Sequence, residues 1–295
     1  MSNQEAIIKQ EIKTSSKFKD ILMLLKLRLS FLVVLSAVSG FFFAGGSFDI
    51  RFLYLVLGGF LITGASNAFN QIIEKDIDKK MVRTSNRPLP TGRMSVNEAL
   101  IVALIFGGLG LFFLFQLNFY SGILGLLSLV MYVFLYTPLK KISPWAVFVG
   151  AFPGAIPPML GAVASTGEFN MLVGIMFFVQ FAWQFPHFWA IAWVLDEDYK
   201  KGGFSLLPSK GRKNKTSANW ILFSTLLMIP AGILPYIYNQ TGITSLIIGT
   251  LAGLLFFGVA LQFYKTKEDK LARKLMFASF IYLPIIQFLY VFNQL

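Results

Sequence analysis

The chain has 295 residues, of which 56% are hydrophobic and 14% charged, with 32 Phe, a mean hydropathy of +0.66 and a formal net charge of +12. A soluble domain does not tolerate so apolar a composition, so the chain reads as an integral membrane protein. The absence of cysteine and the single histidine exclude disulfides, thiolate metal centres, cysteine nucleophiles and poly-histidine metal sites.

Residues 1–28 mix lysines with Glu5, Glu11 and Asp20. This segment lacks a short apolar core before a small-residue cleavage site and is too acidic for a transit peptide. Its apolar residues Ile7, Ile8, Ile12, Phe18, Ile21 and Leu22 predict a cytoplasmic, interfacial tail lying against lipid headgroups. From residue 29 onward a single transmembrane domain is expected. A bilayer-spanning helix needs roughly 20 apolar residues, and nine segments qualify: 29–46, 51–73, 97–116, 119–137, 145–164, 170–194, 219–238, 243–263 and 274–292. The fold class is therefore an all-α polytopic bundle of nine helices.

Of the 26 Lys and Arg, all but Arg51 precede the first span or lie in the connections after spans two, four, six and eight. Under the positive-inside rule those connections are cytoplasmic, which places the amino terminus inside and the carboxyl terminus outside. The net positive charge then reflects topology and contact with anionic lipid, and no nucleic-acid partner is needed to explain it.

Span two ends in Asn70-Gln-Ile-Ile-Glu74-Lys-Asp76-Ile-Asp78. Asn70, Glu74 and Asp78 are four apart, so on a helix they advance by only about 40° each and share one face. Oxygen ligands on one face suit a hard cation such as Mg²⁺. Arg83, Arg87 and Arg93 follow in the loop, and cations facing the same mouth suit a magnesium-bound diphosphate. Asn67 and Asn70 also fall within the apolar segment, where a polar group usually has a partner or a task. Span five contains Pro153, Gly154, Pro157, Pro158 and Gly161, the mark of a kinked or closely packed helix. After span six the polarity of the first long loop recurs as Asp196-Glu197-Asp198-Tyr199-Lys200-Lys201, a degenerate internal repeat four helices on. Two acidic clusters on one membrane side can converge on one cavity.

These residues carry a resemblance. Asn70 to Asp78, with Arg83-Thr84, Arg87-Pro88-Leu89-Pro90 and Gly92, resembles the first aspartate-rich motif of intramembrane aromatic prenyltransferases, and more narrowly their protohaem IX farnesyltransferase branch. Three further blocks match that branch: Tyr136-Thr-Pro-Leu-Lys140-Lys141, Trp183-Gln-Phe-Pro-His187-Phe188-Trp189, and Asp198-Tyr199 with Lys200 and Gly202. The resemblance implies a helical bundle in the cell (inner) membrane around a central cavity with a cytoplasmic mouth. In it, Mg²⁺ held by Asn70, Glu74, Asp78, Asp196 and Asp198 bridges farnesyl diphosphate to both acidic motifs. Arg83, Arg87, Tyr136, Lys140, His187, Tyr199 and Lys200 are the implied substrate-binding residues, with Arg83, Arg87 and Lys140 stabilising the leaving diphosphate. The implied acceptor is haem b, a substrate and not a resident cofactor, and a downstream haem-modifying or oxidase-assembly protein is the implied partner. Two departures stand out: Glu74 replaces the commoner Asp, and His187 stands where the wider superfamily carries an Asp. If the helix continues from His187 to Asp198, eleven residues give roughly 1,100° of turn and about 16 Å of rise. His187 then shares the acid cluster's face at greater depth, where it either contacts haem or packs against a neighbouring helix. Two other functions fit the same residues: prenyl transfer to a quinone-precursor acid or chlorophyll-type acceptor, and cation-coupled transport. Acids at the ends of spans weigh against the transporter, whose sites usually lie near the bilayer midplane.

Overall fold

The computed structural model describes residues 16–295, and the expected contacts of Ile7, Ile8 and Ile12 lie outside that range. Among the described residues the chain is helical with no extended strand. Its helices are α1 (Lys17–Leu25), α2 (Leu27–Phe43), α3 (Ile50–Asp78), α4 (Val96–Leu117), α5 (Phe119–Leu139), α6 (Ala146–Thr166), α7 (Met171–Val194), α8 (Asp196–Lys201), α9 (Lys215–Ile237), α10 (Ile243–Thr266) and α11 (Asp269–Phe292). Eight of them are long and apolar enough to cross a bilayer, and the bent pair α1–α2 makes a ninth candidate. The apolar patterning thus located every span. Lipid offers the backbone no hydrogen-bond partners, which is why the chain satisfies them within helices.

The helix ends follow local sequence. Asp49 caps α3 by accepting from the backbone N–H of Arg51 and Phe52, and Ser95 with Glu98 forms a capping box on α4. Between spans, packing depends on small residues, because apolar side chains gain little by leaving lipid for protein. At the α2–α6 crossing, a Cβ on Gly40 would collide with the Pro158 carbonyl, and one on Gly161 with the Ala37 carbonyl. The Pro/Gly run of span five therefore buys close approach. Proline also leaves carbonyls one turn back without a backbone donor, and the Pro153 carbonyl freed by Pro157 accepts from Ser128 Oγ at 3.4 Å.

Two irregularities shape the interior. The first is a 44° bend between α1 and α2 at Lys26, which takes a left-handed conformation with φ 48°. Breaking the helix there frees the carbonyls of Leu24 and Leu25. Gln71 donates to Leu24 O at 2.7 Å, while Ser30 and Asn67 donate to Leu25 O at 3.0 and 3.4 Å. Asn67 thus serves the bend. The second is a π-turn over Met131–Tyr136 inside α5, directly before Pro138. Pro138 has no N–H to give and crowds the preceding turn, and widening that turn relieves the clash.

Candidate active site

At the polar end of α3, Asn70, Glu74 and Asp78 face one cavity of about 120 Å³, as their spacing predicts. All three are buried. The opposing walls come from the bend (Lys26), the loop after α3 (Arg83 and Arg87), the end of α5 (Tyr132, Tyr136 and Lys140) and α8 (Tyr199). Four cations thus face two carboxylates, leaving an excess of positive charge suited to a multiply charged anion.

The carboxylates are ion-paired. Arg87 Nη1 donates to Asp78 Oδ2 at 2.6 Å, with the Asp78 side chain fully buried. Lys140 Nζ lies 2.5 Å from Glu74 Oε1, at ion-pair distance but off the direction of a good hydrogen bond. Asp78 Oδ1 is buried without any hydrogen-bond partner. Asn70 Nδ2 donates to Thr137 Oγ1 at 3.2 Å, and Thr137 in turn donates to the Tyr132 carbonyl inside the π-turn. That contact commits the amide nitrogen and leaves Asn70 Oδ1 as an acceptor. Burial pushes the Lys140 ammonium below the usual lysine range and the Tyr199 phenol above the usual tyrosine range.

The remaining expected residues lie elsewhere. Asp198 accepts from the backbone N–H of Val82 at 2.7 Å and of Arg83 at 3.2 Å, so its carboxylate fastens the first polar loop from behind. Asp196 accepts from Lys200 Nζ at 2.7 Å. None of Asp196, Asp198, Lys200 and His187 lines the polar cavity. Arg93 turns away as well, donating to Asp20 at 2.9 Å and to the Asn86 carbonyl, which ties α1 to the loop. Neither Tyr132 nor Lys26, both of which line the cavity, is singled out by the sequence motifs. A lysine amid an apolar run at the start of span one was the available signal for Lys26.

His187 does not share a continuous helical face with Asp198, because α7 ends at Val194 and Leu195, at φ −101° and ψ 14°, interrupts the helix before α8. It lines a separate groove of about 160 Å³ between α2, α7 and α11. Its ring stacks on Trp183 with centroids 4.2 Å apart. Nδ1 lies 2.8 Å from Ser279 Oγ, whose own proton goes to the Met276 carbonyl. Nδ1 must therefore be the donor, which leaves an unprotonated Nε2.

Beneath the polar cavity lies an apolar one of about 220 Å³, walled by α2, α3, α5 and α6. Tyr132 and Tyr136 belong to both linings, so the two phenol rings, 5.3 Å apart, form the partition between charge and hydrocarbon. Gln184, Phe188, Leu29 and Val33 are common to the apolar cavity and the His187 groove.

Among the described residues no three carboxylate, imidazole or thiol groups converge to cage a metal. Mg²⁺ needs no such cage: it commonly takes one or two carboxylates and completes its shell with water and substrate phosphates. Asn70 Oδ1, Glu74 and the unpartnered Asp78 Oδ1 form a hard-oxygen donor set that fits this pattern.

Comparison with known proteins agrees with this geometry. The family model described as "UbiA prenyltransferase family" matches residues 33–283. The protoheme IX farnesyltransferase of Cytophaga hutchinsonii is 46% identical over 284 residues, covering 95% of this chain and 99% of the relative. Among solved structures, a digeranylgeranylglyceryl phosphate synthase superposes with a TM-score of 0.79 at 24% identity, over 94% of this chain and 98% of its own. A UbiA homologue from Archaeoglobus fulgidus bound to GPP and Mg²⁺ superposes with a TM-score of 0.65 at 16% identity, over 92% and 99% of the two chains. A family model matching residues 33–283, a relative at this identity and a shared fold have one meaning: the chain is a member of the UbiA prenyltransferase family, in the branch of the protoheme IX farnesyltransferases.

Proposed function

We propose that this chain transfers the farnesyl group of farnesyl diphosphate to a vinyl group of haem b, with addition of water, giving haem O and diphosphate. The observation that carries the reading is the partition at Tyr132 and Tyr136, which sets a cation-rich cavity directly above a hydrocarbon one. A prenyl diphosphate has that division in its own structure.

Asn70, Glu74 and Asp78 are the proposed Mg²⁺ ligands, and the bound ion would supply Lewis-acid stabilisation of the leaving diphosphate. Arg87 and Lys140, paired with Asp78 and Glu74, would exchange those partners for phosphate oxygens as substrate enters. Arg83 and Lys26 add charge from the two remaining sides. Breaking the allylic C–O bond leaves its electron pair on diphosphate, and these fixed cations stabilise that charge as it develops. The allylic carbon then lies beside the Tyr132 and Tyr136 rings, whose faces favour a cation and whose bulk excludes water. The vinyl π-electrons form the new C–C bond, water adds to the resulting ring-stabilised cation, and the added water loses a proton.

Asp196 and Asp198 stand outside the lining of the polar cavity, with Asp196 on Lys200 and Asp198 on the Val82 and Arg83 amides. Asp198 is accordingly proposed as a positioning residue for Arg83. His187 is proposed as the acceptor contact. Its Nε2 lone pair can ligate iron or accept a proton from water, and its groove shares a wall with the apolar cavity at Gln184 and Phe188.

The mouth would face the cytoplasm of the inner membrane, where the basic loops lie, and the product would pass to a haem-modifying or oxidase-assembly protein. Mass spectrometry of haems extracted from cells producing the chain tests the reading. A farnesyl-hydroxyethyl haem is expected, and unmodified haem b alongside a prenylated aromatic acid or alcohol would overturn it.

A further inference from the structure

The largest cavity described, about 480 Å³, shares no lining residue with the polar cavity, the apolar cavity or the His187 groove. It opens on the outer flank of α6, α7 and α9. Six aromatic rings run around it in unbroken succession. Trp145 meets Phe148 at 5.9 Å, Phe148 meets Phe185 at 6.0 Å, and Phe185 meets Trp189 at 5.4 Å. Trp189 then meets Trp220 at 6.3 Å, and Trp220 meets Phe223 at 6.4 Å. The apolar aliphatic lining is limited to Leu227 and the rings of Pro144 and Pro208. At the rim stands Lys210, exposed, in a left-handed conformation with φ 50°, and without an ion pair among the described residues. The Trp189 indole N–H is buried and no protein atom accepts it. In a membrane protein such a donor goes unsatisfied only at a cost.

We infer that this flank is a docking site for a flat tetrapyrrole dicarboxylate, the acceptor or its prenylated product, held outside the catalytic cavities. The inference rests on the haem reading above. A flexible acyl chain gains as much from Leu or Ile as from Trp, and surrenders rotamer freedom on being ordered. A rigid conjugated disc loses little, and it stacks on ring faces that aliphatic side chains do not offer. Charge points the same way: propionates at the disc's edge match the unpaired Lys210.

The test is titration of the full chain, in nanodiscs of neutral phospholipid, with zinc protoporphyrin IX, which is fluorescent and lacks iron chemistry. The unaltered protein should bind two equivalents and show quenched tryptophan emission. Trp220→Leu with Phe223→Leu should abolish one equivalent and leave prenyl diphosphate affinity unchanged, which also shows that the variant folds. Lys210→Ala should weaken that same equivalent by about tenfold, the loss of one charge-assisted contact. The dimethyl ester of the probe should bind the unaltered protein with the same deficit. Two equivalents retained by the double variant would overturn the inference. So would displacement of the probe by anionic phospholipid in the unaltered protein but not in Lys210→Ala, which would make the groove a lipid site. If cells produce haem O while the groove variants bind porphyrin normally, the docking site alone fails. If the chain binds no porphyrin at all, the haem reading fails with it.

Discussion

Asp198 holds the backbone amides of Val82 and Arg83, more than a hundred residues earlier in the chain, at 2.7 and 3.2 Å. The second polar loop thus acts on the first through its backbone. Asp198→Ala should free the loop that carries Arg83 and raise KM for farnesyl diphosphate more than it lowers kcat, and Asp198→Asn, with one acceptor oxygen left, should fall between. A collapse of kcat with a shifted Mg²⁺ requirement in both variants would instead make Asp198 a metal ligand.

Asp78 is fully buried, with one oxygen on Arg87 and the other unpartnered. Asp78→Asn keeps the shape and removes the charge, and should cost roughly a hundredfold or more in kcat, as loss of one electrostatic group typically does. The Mg²⁺ concentration for half-maximal rate should rise in parallel, and EDTA should abolish turnover of the unaltered enzyme. Near-normal rates in excess chelator would remove the metal from the mechanism.

The tautomer of His187 gives a paired experiment. His187→Ala should abolish haem product and change the absorption spectrum of bound haem, leaving farnesyl diphosphate affinity within a few fold. Ser279→Ala removes the acceptor of Nδ1–H and should misorient the ring, giving a milder loss of the same kind. Normal turnover with an unchanged spectrum in the first variant would reduce His187 to packing.

Loop charge predicts the side of every connection. Reporter fusions after residues 90, 140, 210 and 268 should report cytoplasm, and those near 48, 167 and 240 the opposite side. A cytoplasmic signal at 167 would break the nine-span arrangement.

The sequence exposes the spans and the Asn70–Glu74–Asp78 face because both are local periodicities, three or four residues long in their logic. It does not separate Arg83, Arg87 and Arg93, which look alike in one basic loop. One backs onto Tyr199, one pairs with Asp78, and one leaves the site for Asp20. Asn67 and Asn70 look equally functional until the bend at Lys26 shows which carbonyls need donors. The helical repeat could have divided the Trp183–Trp189 block, since Trp183 with His187 and Phe185 with Trp189 are each four apart on different faces. The structure turns the first pair inward and the second toward the outer groove. Contacts such as Asp198 with Val82 depend on chain segments meeting after a hundred residues, and no local pattern encodes them.

The π-turn of α5 amounts to one residue more than an α-helix would hold. Deleting a single residue within Met131–Tyr136 would remove the widened turn and press the preceding carbonyls back against Pro138. Everything beyond the deletion would also rotate by about 100° against what precedes it. Thr137 would leave Asn70, and Lys140 would leave Glu74. A shortened chain would keep the hydrophobicity that inserts it, with its phosphate cavity dismantled. In this span, length in residues is a functional variable separate from hydrophobicity, and substitution scans that preserve length cannot sample it.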